Sequence, residues 1–444
     1  MRLLGLKTFR HGIHPPERKE GTAGMAVRQF PFAPQLIVPL SQHAGKPAIA
    51  EVREGQEVAR GQRIARADGF MSVSMHAPAS GVVRKIALSP GIAGKMVSSV
   101  FIEPFPGSTQ EVADGTPCPL DTATPDEIVA AIQDAGIVGL GGAAFPTHVK
   151  LKFPEGKWID TLIINGAECE PYLTTDHRVM LEQREDIFTG IRYLLKVTGA
   201  KRAIIGVEAN KPDAVEHLRD ALPADLPASV EMLRVKYPQG AEKMLITALL
   251  GREVPSGGLP LEAHALCCNV ATTAEIGRLL PRGQGIQERV ITITGPAVRQ
   301  PGNYRIPIGT PLRFLLEQVG VEPGVNRVFL GGPMMGAAAP SLEISITKGT
   351  SGVTAFTDDD VESTHAEVQP CIRCAYCLDA CPIYLNPSEL GLLALNEQFD
   401  RMADEFNLMD CFECGACSFV CPSHIPLVQQ FRVAKRAVRK ARAG

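Results

Sequence analysis

Two cysteine runs near the end of the chain decide how its last domain folds. The first reads Cys371-Ile-Arg-Cys374-Ala-Tyr-Cys377-Leu-Asp-Ala-Cys381-Pro382, and the second reads Cys411-Phe-Glu-Cys414-Gly-Ala-Cys417-Ser-Phe-Val-Cys421-Pro422. In each run a two-residue spacer lets tight turns direct three successive thiolates toward one centre. This spacing predicts a 4Fe–4S cluster for each run. Zinc is the alternative, but zinc sites rarely use this spacing twice.

The fourth cysteine of each run is expected to bind the cluster of the other run, as in two-cluster domains of this kind. One predicted ligand set is therefore Cys371, Cys374, Cys377 and Cys421, and the other is Cys411, Cys414, Cys417 and Cys381. The insert between the runs begins a helix at Asn386-Pro387-Ser388-Glu389. We therefore predict a helical two-cluster ferredoxin-type domain over residues 367–444.

The last helix of this domain carries a row of basic residues, namely Arg432, Lys435, Arg436, Arg439, Lys440 and Arg442. A solvated basic face is one interpretation of this row. Docking to an acidic partner or to a membrane surface is the alternative.

Composition limits the class of protein. The chain has 444 residues and a formal net charge of −3, which argues against nucleic acid as a partner. No apolar run is long enough to cross a bilayer, and the first twenty residues lack the apolar core of a secretory signal. Eight of the twelve cysteines lie in the two runs, which favours metal binding over disulfides. We therefore expect a reducing compartment, the cytoplasm.

The first part of the chain predicts β structure. Residues 1–30 form an N-terminal extension, and residues 31–115 alternate glycine turns with short strands, clearest at Ile37–Leu40 and Gly81–Ile86. This order resembles the barrel-sandwich hybrid of lipoyl and biotinyl carriers. The tip of its hairpin, Gly69–His76, has no lysine for a cofactor to be attached to. We therefore expect a structural or docking module here.

The middle of the chain predicts an α/β domain over residues 116–285. Thr124, Pro125 and Glu127 form the sequence signature of a capped helix start. Leu162–Ile164 and Ala203–Val207 are buried-strand runs, and a helix follows from Lys211 to Leu222. Alternating helices and strands of this kind predict a parallel, Rossmann-like sheet.

A smaller module is predicted over residues 286–348. Strands at Val290–Thr294 and Val328–Leu330 flank a helix from Pro311 to Val319. The order resembles a β-grasp of the soluble-ligand-binding (SLBB) type, which could bind a ligand or simply pack between domains. Residues 349–366 are polar and are predicted to be a linker.

A glycine-dense loop, Gly136–Thr147, lies near the start of the α/β domain. It matches neither a dinucleotide fingerprint nor a Walker loop. Glycines let backbone amides approach an anion closely, Pro146 suits the first turn of a helix, and Lys150 adds a charge. A phosphate-binding loop and a tight packing turn are both consistent with this composition. Beyond the strand at Leu162–Ile164 comes Asn165-Gly-Ala-Glu168-Cys-Glu170-Pro171, where α/β proteins bind ligands.

These loops resemble those of the flavoprotein subunit of respiratory complex I, with Gly240-Ala241-Glu242 as a third loop and Asn269-Val-Ala-Thr272 as a fourth. The resemblance implies an FMN site formed by Gly139, Gly141, Gly142, Lys150, Asn165, Glu168, Gly240, Asn269 and Thr272. It also implies an NADH side lined by Phe145, Phe153, Glu170 and Glu242. Two departures are Ala167 and Ala241, which stand where that family has acidic residues. A third is the number of clusters, since that subunit carries one of this type.

The whole chain resembles the C-subunit family of Rnf electron-transport complexes. His11–Glu17, Gln42–Gly45, His76–Pro78, the two flavin-type loops and both cysteine runs occur in the order of that family. The resemblance implies an oxidoreductase subunit that exchanges a hydride between NADH and FMN and passes single electrons through both clusters. It also implies integral membrane and iron–sulfur subunits as partners, indirect coupling to ferredoxin or flavodoxin, and a peripheral place on the cytoplasmic face of the inner membrane.

Two other functions remain open from sequence. One is an iron–sulfur relay whose α/β domain is only a docking scaffold. The other is a flavoprotein cobalamin reductase of related domain composition. Cys169, Cys267 and Cys268 are interpreted as packing residues, and Cys118 has no assigned role.

Overall fold

The barrel-sandwich module forms two small sheets. The computed structural model describes residues 5–361 and 367–443. One sheet has the order β2-β8-β7-β4, with β2 Leu36–Pro39, β4 Glu57–Val58, β7 Gly81–Pro90 and β8 Met96–Pro104. The other has the order β3-β5-β6, with β3 Ile49–Ala50, β5 Arg63–Arg66 and β6 Met75–His76.

The tip of this module is a packing contact. Gln133 of the α/β domain donates from Nε2 to the carbonyl oxygens of Gly69 and Ser72, at 3.0 Å each. A ring nitrogen of His148 lies 2.7 Å from the carbonyl oxygen of Phe70. The tip, which lacks a lysine for cofactor attachment, therefore packs against the α/β domain.

The α/β domain contains a parallel sheet of order β11-β10-β9-β12. Its strands are β9 Thr161–Gly166, β10 Arg202–Glu208, β11 Ala228–Leu233 and β12 Ala265–Asn269. Its helices are α1 Pro125–Asp134, α2 Thr147–Leu151, α3 Thr175–Glu182, α4 Arg184–Thr198, α5 Pro212–Asp220, α6 Glu242–Leu250 and α7 Val270–Leu279. The predicted capping box at Thr124 and Glu127 is present.

The strand order of this sheet creates a place for a ligand. Successive strands run from β9 outward to β11, and then the chain returns to the opposite side of β9 to form β12. Asn165 and Asn269 are register partners at the carboxyl ends of β9 and β12. Parallel sheets bind ligands in the crevice at such a reversal point.

The SLBB-type module is a six-stranded sheet of order β1-β14-β13-β17-β15-β16. Its elements are β1 Arg28–Gln29, β13 Glu288–Thr294, β14 Gly302–Pro307, α8 Leu312–Val319, β15 Arg327–Leu330, β16 Ala337–Ala338 and β17 Gly352–Phe356.

The linker predicted at residues 349–366 is wrong over β17. All five residues of this strand are buried, and it pairs with both β13 and β15 in the middle of the sheet. The linker was predicted because the segment is polar in composition, and much of that polarity comes from Asp358–Asp360. These three residues form a 3₁₀ turn directly after the strand. Residues 362–366 of the predicted linker lie outside the described residues.

The cysteine domain is helical, as predicted. Its helices are α9 Tyr376–Ala380, α10 Pro387–Leu395, α11 Phe399–Asp404, α12 Ala416–Phe419 and α13 Leu427–Ala443. The side chain of Asn386 accepts from the amide of Glu389 at 3.1 Å and so starts α10. Leu390, Met402 and Phe431 pack in its core. Within residues 5–361 and 367–443, no helix is long and apolar enough to span a membrane.

Candidate functional site

Four thiols from both cysteine runs surround one buried cavity. Cys381 of the first run lines it together with Cys411, Cys414 and Cys417 of the second. The remaining walls of this cavity are mostly apolar. Four thiols spaced around a cavity fit a cube-shaped iron–sulfur cluster better than a single metal ion. The lining of this cavity agrees with the crossed ligand set predicted from sequence.

The other four thiols also lie together. Burial raises the pKa of the Cys377 thiol, and the neighbouring Cys421, Cys371 and Cys374 raise it further. The group again combines three cysteines of one run with the last cysteine of the other. In the described parts of the chain, no three His, Cys, Asp or Glu side chains are arranged to hold a single metal ion.

Left-handed turns direct the thiols in both runs. Arg373 and Ala375 have φ of 57° and 66°, and the matching Glu413 and Gly415 have φ of 63° and 81°. Ala375 therefore adopts a backbone conformation that glycine adopts at lower cost. The two runs repeat one local structure, which explains why spacing alone predicted it.

The second and third predicted flavin loops meet at the carboxyl end of β9. Asn165 accepts from the amide of Ala167 at 3.0 Å and donates to the carbonyl oxygen of Gly240 at 2.8 Å. A Cβ atom on Gly240 would lie 2.2 Å from the carbonyl oxygen of Ala167. Glycine is therefore required at this position by the close approach of the two loops.

The glycine loop is anchored on the first turn of α7. Asn269 Oδ1 accepts from the amides of Ala271 and Thr272, which caps the helix. The Thr272 hydroxyl accepts from the amide of Leu140 at 2.8 Å, inside the glycine loop. Gly142 has φ of 120°, which glycine readily adopts. The first and fourth loops are thus joined at the same edge of the sheet.

Two charged residues that sequence analysis did not assign to the site, the half-buried Asp176 and the buried Arg289, support this arrangement. Asp176 accepts from Asn269 Nδ2 at 2.8 Å, and burial raises the pKa of Asp176 to about 7. Arg289 donates to the carbonyl oxygen of Leu140 at 2.9 Å, and burial lowers the pKa of Arg289 to about 10. The available signal for Arg289 was a charged residue directly before the apolar run Val290–Thr294, but its partner Leu140 is far away in sequence.

Lys150 faces Glu242 across the opening. Its Nζ lies 2.5 Å from Glu242 Oε1 and 2.6 Å from the carbonyl oxygen of Cys267. Burial lowers the pKa of Lys150, but the attraction of Glu242 opposes burial and the pKa remains raised. The predicted helix after Pro146 is the five-residue α2, which is too short to offer the anion-binding terminus expected from sequence. Phe145 is exposed beside it, and Phe153 is half-buried.

The two carboxylates of the second loop are bound by backbone amides. Glu168 accepts from the amides of Asp176 and His177, at 2.9 and 3.3 Å, and caps α3. Glu170 Oε1 accepts from the amides of Met334 and Met335, at 2.9 and 2.8 Å, in the SLBB-type module. Both residues therefore fix the second loop, Glu168 against α3 and Glu170 against the SLBB-type module.

Four family models match successive parts of the chain. Residues 7–105 match the RnfC barrel sandwich hybrid domain, and residues 132–278 match the Nuo51 FMN-binding domain. Residues 290–338 match the SLBB domain, and residues 367–425 match the 4Fe-4S dicluster domain. The predicted fold class is confirmed, and FMN and two 4Fe–4S clusters are the cofactors that these domains support.

A solved structure shares part of the fold. The NAD⁺-reducing nickel–iron hydrogenase in its air-oxidized state aligns with a TM-score of 0.50 and 20% identity. The alignment covers 74% of this chain and 69% of the hydrogenase chain. At this identity the likeness concerns the fold alone.

Curated relatives match almost the whole chain. The C subunit of the proton-translocating ferredoxin:NAD(+) oxidoreductase complex of Clostridium ljungdahlii is 40% identical over 98% of this chain and 95% of its own. The C subunit of the Na(+)-translocating complex of Acetobacterium woodii is 42% identical over 97% of each. The C subunit of the ion-translocating oxidoreductase complex of Pasteurella multocida is 40% identical over 97% of this chain, which spans about half of that relative. The chain therefore belongs to the family of C subunits of Rnf-type ion-translocating oxidoreductase complexes.

Proposed function

We propose that this electron-transfer subunit exchanges electrons with NADH at the carboxyl edge of its parallel sheet and passes them singly through its two cysteine sites. The observation that carries the proposal is the meeting of all four flavin-type loops at the reversal point between β9 and β12. FMN, when bound, supplies the exchange between the two-electron chemistry of NADH and the one-electron chemistry of the clusters.

The proposed FMN-binding residues fit a flat anionic cofactor. The glycine loop presents backbone without side chains, and Lys150 supplies a cation at its inner end. We assign the cofactor contacts to Gly139, Gly141, Gly142, Lys150, Phe153, Asn165, Glu168, Gly240, Asn269 and Thr272. For Glu168, Asn269 and Thr272 the hydrogen bonds described above support a role in holding the loops against the cofactor.

The NADH side is proposed to lie at the open lip of the site. Phe145 is 38% exposed and offers an aromatic face on which a nucleotide base can stack. Glu242 orients Lys150 through an ion pair, and Glu170 fixes the second loop against the SLBB-type module. These three residues orient substrate and exclude water, and no protein nucleophile is needed.

The partners proposed are integral membrane and iron–sulfur subunits of the same complex, with ferredoxin or flavodoxin coupled through them. The names of the relatives support a multi-subunit complex. We propose a peripheral position on the cytoplasmic face of the inner membrane, where NADH is available.

The proposal is tested with the purified chain carrying its clusters. Lys150→Met should lower the FMN content and abolish NADH oxidation with ferricyanide, because it removes the cation that faces the cofactor. Lys157→Met, an exposed lysine six residues from α2, is the matched control and should keep both properties. Full FMN content and activity in Lys150→Met would contradict the assignment. A wild-type chain without FMN would instead support the iron–sulfur relay.

A further inference from the structure

We propose that Asp176 holds the proton that accompanies electron exchange at the flavin site, donating it when FMN is reduced and accepting one when the electrons leave for the clusters. The inference rests on the proposed function and adds a proton-exchanging residue to it. It is carried by the position of Asp176 among the flavin-type loops, by a carboxylate oxygen without a partner, and by the charges around it.

Asp176 lies where three of the four flavin-type loops meet. It is in the first turn of α3, and its amide donates to Glu168 Oε1 of the second loop at 2.9 Å. Its carboxylate Oδ2 accepts from Asn269 Nδ2 of the fourth loop at 2.8 Å. The glycine loop lies directly against this amide group, since a Cβ atom on Gly141 would be 3.2 Å from Asn269 Nδ2. The loops proposed to hold FMN therefore converge on this carboxylate.

One oxygen of the carboxylate is available to exchange a proton. Oδ2 is bound by Asn269, whereas Oδ1 of Asp176 has no hydrogen-bond partner within residues 5–361 and 367–443. The side chain is half-buried, and Oδ1 remains accessible. A protonated carboxyl group donates a hydrogen bond, and the carboxylate accepts one. Oδ1 can therefore serve both directions of a reversible reaction.

The other titratable side chains of the loops are engaged elsewhere. Both carboxylate oxygens of Glu168 accept from backbone amides at the start of α3. Lys150 and Glu242 form an ion pair with each other. Glu170 accepts from two backbone amides of the SLBB-type module. Asp176 is therefore the carboxylate best placed to exchange a proton with a group bound between the loops.

The surrounding charges bring the proton of Asp176 into the neutral range. Burial, followed by the nearby carboxylate of Glu168, raises the pKa of Asp176 to about 7. The hydrogen bond from Asn269 and the positive charges of Arg289 and Lys211 lower this pKa, but they do not outweigh burial. Proton exchange is most efficient when the pKa of the group lies near the working pH. Asp176 can therefore gain and lose a proton at neutral pH.

Other titratable residues of the helices beside Asp176 are paired with each other. These pairs are His177 with Asp213, Arg178 with Glu182, and Arg278 with Glu275. Glu168, Arg289 and Lys211 are therefore the charges that set the proton affinity of Asp176.

The proton balance defines what Asp176 does. Full reduction of FMN takes a hydride from NADH and one proton, so the O–H bond of Asp176 breaks and its carboxylate remains. Departure of two electrons, one to each cluster, releases two protons. The carboxylate of Asp176 takes one of them, and water takes the other. The net reaction converts NADH to NAD⁺, two electrons and one proton, and Asp176 ends as it began.

The test follows flavin reduction by NADH in the full chain with FMN and both clusters, by stopped-flow absorbance. In the wild-type chain the rate should fall about tenfold from pH 6 to pH 8, as does the protonated fraction of a group with a pKa of about 7. Asp176→Asn keeps an acceptor for Asn269 but cannot release a proton. Reduction in this variant should be about a hundredfold slower at pH 6 and independent of pH.

The matched control is Asp186→Asn. Asp186 is also a half-buried aspartate at the start of a helix, α4, and burial raises its pKa too. This variant should keep the wild-type rate and pH profile. A wild-type rate that does not fall above pH 7 would overturn the inference. Slow reduction with the wild-type pH profile in Asp176→Asn would also overturn it, because the residue would then be only structural.

Infrared spectroscopy of the oxidised chain gives a readout that does not depend on turnover. Between pH 6 and pH 8 the carbonyl band of protonated carboxyl groups should fade in the wild-type chain, and this change should be smaller in Asp176→Asn. An equal change in both would overturn the inference, even in a variant that has lost FMN. Failure of the proposed function looks different, because NADH would then reduce neither flavin nor clusters in the wild-type chain at any pH, while dithionite reduces both clusters.

Discussion

Glu168 has two roles: it is a proposed FMN contact, and it also holds the start of α3. Its carboxylate accepts from two amides at the start of α3. Glu168→Ala should therefore lower the free energy of unfolding by about 2 kcal/mol, because it removes a helix cap and leaves buried donors unpaired. Urea unfolding measures the change.

The control for this prediction is Glu155→Ala at an exposed position, which should leave stability unchanged. The same experiment separates the two roles of Glu168. Loss of FMN with unchanged stability would mean that the carboxylate binds the cofactor and contributes little to the helix.

At the residue scale, sequence is most informative where the chemistry is local. The spacing of the cysteines determines how each run turns, so both ligand sets could be proposed without knowing the rest of the fold. Asp176 and Arg289 could not be found in this way, because each contacts a partner that is distant in sequence, namely Asn269 and Leu140.

At the scale of elements, Lys348 joins three segments of the structure. It is 1% exposed, and its Nζ donates to the carbonyl oxygens of Ser74 and Gly136, at 2.7 and 2.8 Å. These acceptors belong to the barrel-sandwich tip and to the turn after α1. Neither hydrogen-bond partner is a carboxylate. Burial therefore lowers the pKa of Lys348 from 10.5 to about 7.

This lowered pKa predicts a pH-dependent stability. Between pH 7 and 10.5 the unfolded chain holds the proton of Lys348 and the folded chain has released it. The free energy of unfolding should therefore rise with pH across this window, by about 1 kcal/mol per pH unit. This gain in stability is lost as the pH falls toward 7.

Urea midpoints at pH 7 and pH 9 measure this slope. Lys348→Met should have a smaller rise than the wild-type chain, because the titrating group is gone. Lys95→Met, at an exposed position, should keep the wild-type rise. An identical rise in both variants would show that other groups produce it.

β17 shows the limit of prediction for elements. Capped helices such as α1 and the long apolar strands β9, β10 and β13 were predicted, because their signals lie within each segment. β17 has only five residues and is followed by three aspartates. Its place in the sheet depends on pairing with β13 and β15, which lie far away along the chain.

At the scale of the whole molecule, the N-terminal extension connects the domains. Lys19 is buried and donates to the carbonyl oxygens of Glu168, Glu170 and Leu173, so it fixes the second flavin loop. Arg28 and Gln29 add an edge strand to the SLBB-type sheet. A ring nitrogen of His11 lies 3.2 Å from the carbonyl oxygen of Leu378 in the cysteine domain. These contacts of the extension could not be predicted from its sequence, because each is made with a different domain.

The central claim is that one chain carries electrons from NADH through FMN to two clusters. Anaerobic titration of the purified, cofactor-loaded chain with NADH tests it most directly, with flavin absorbance and cluster resonance followed together. We predict about eight iron atoms and one FMN per chain, and complete reduction by about two NADH, since the flavin takes two electrons and each cluster one. A chain that dithionite reduces fully but NADH leaves oxidised would contradict it.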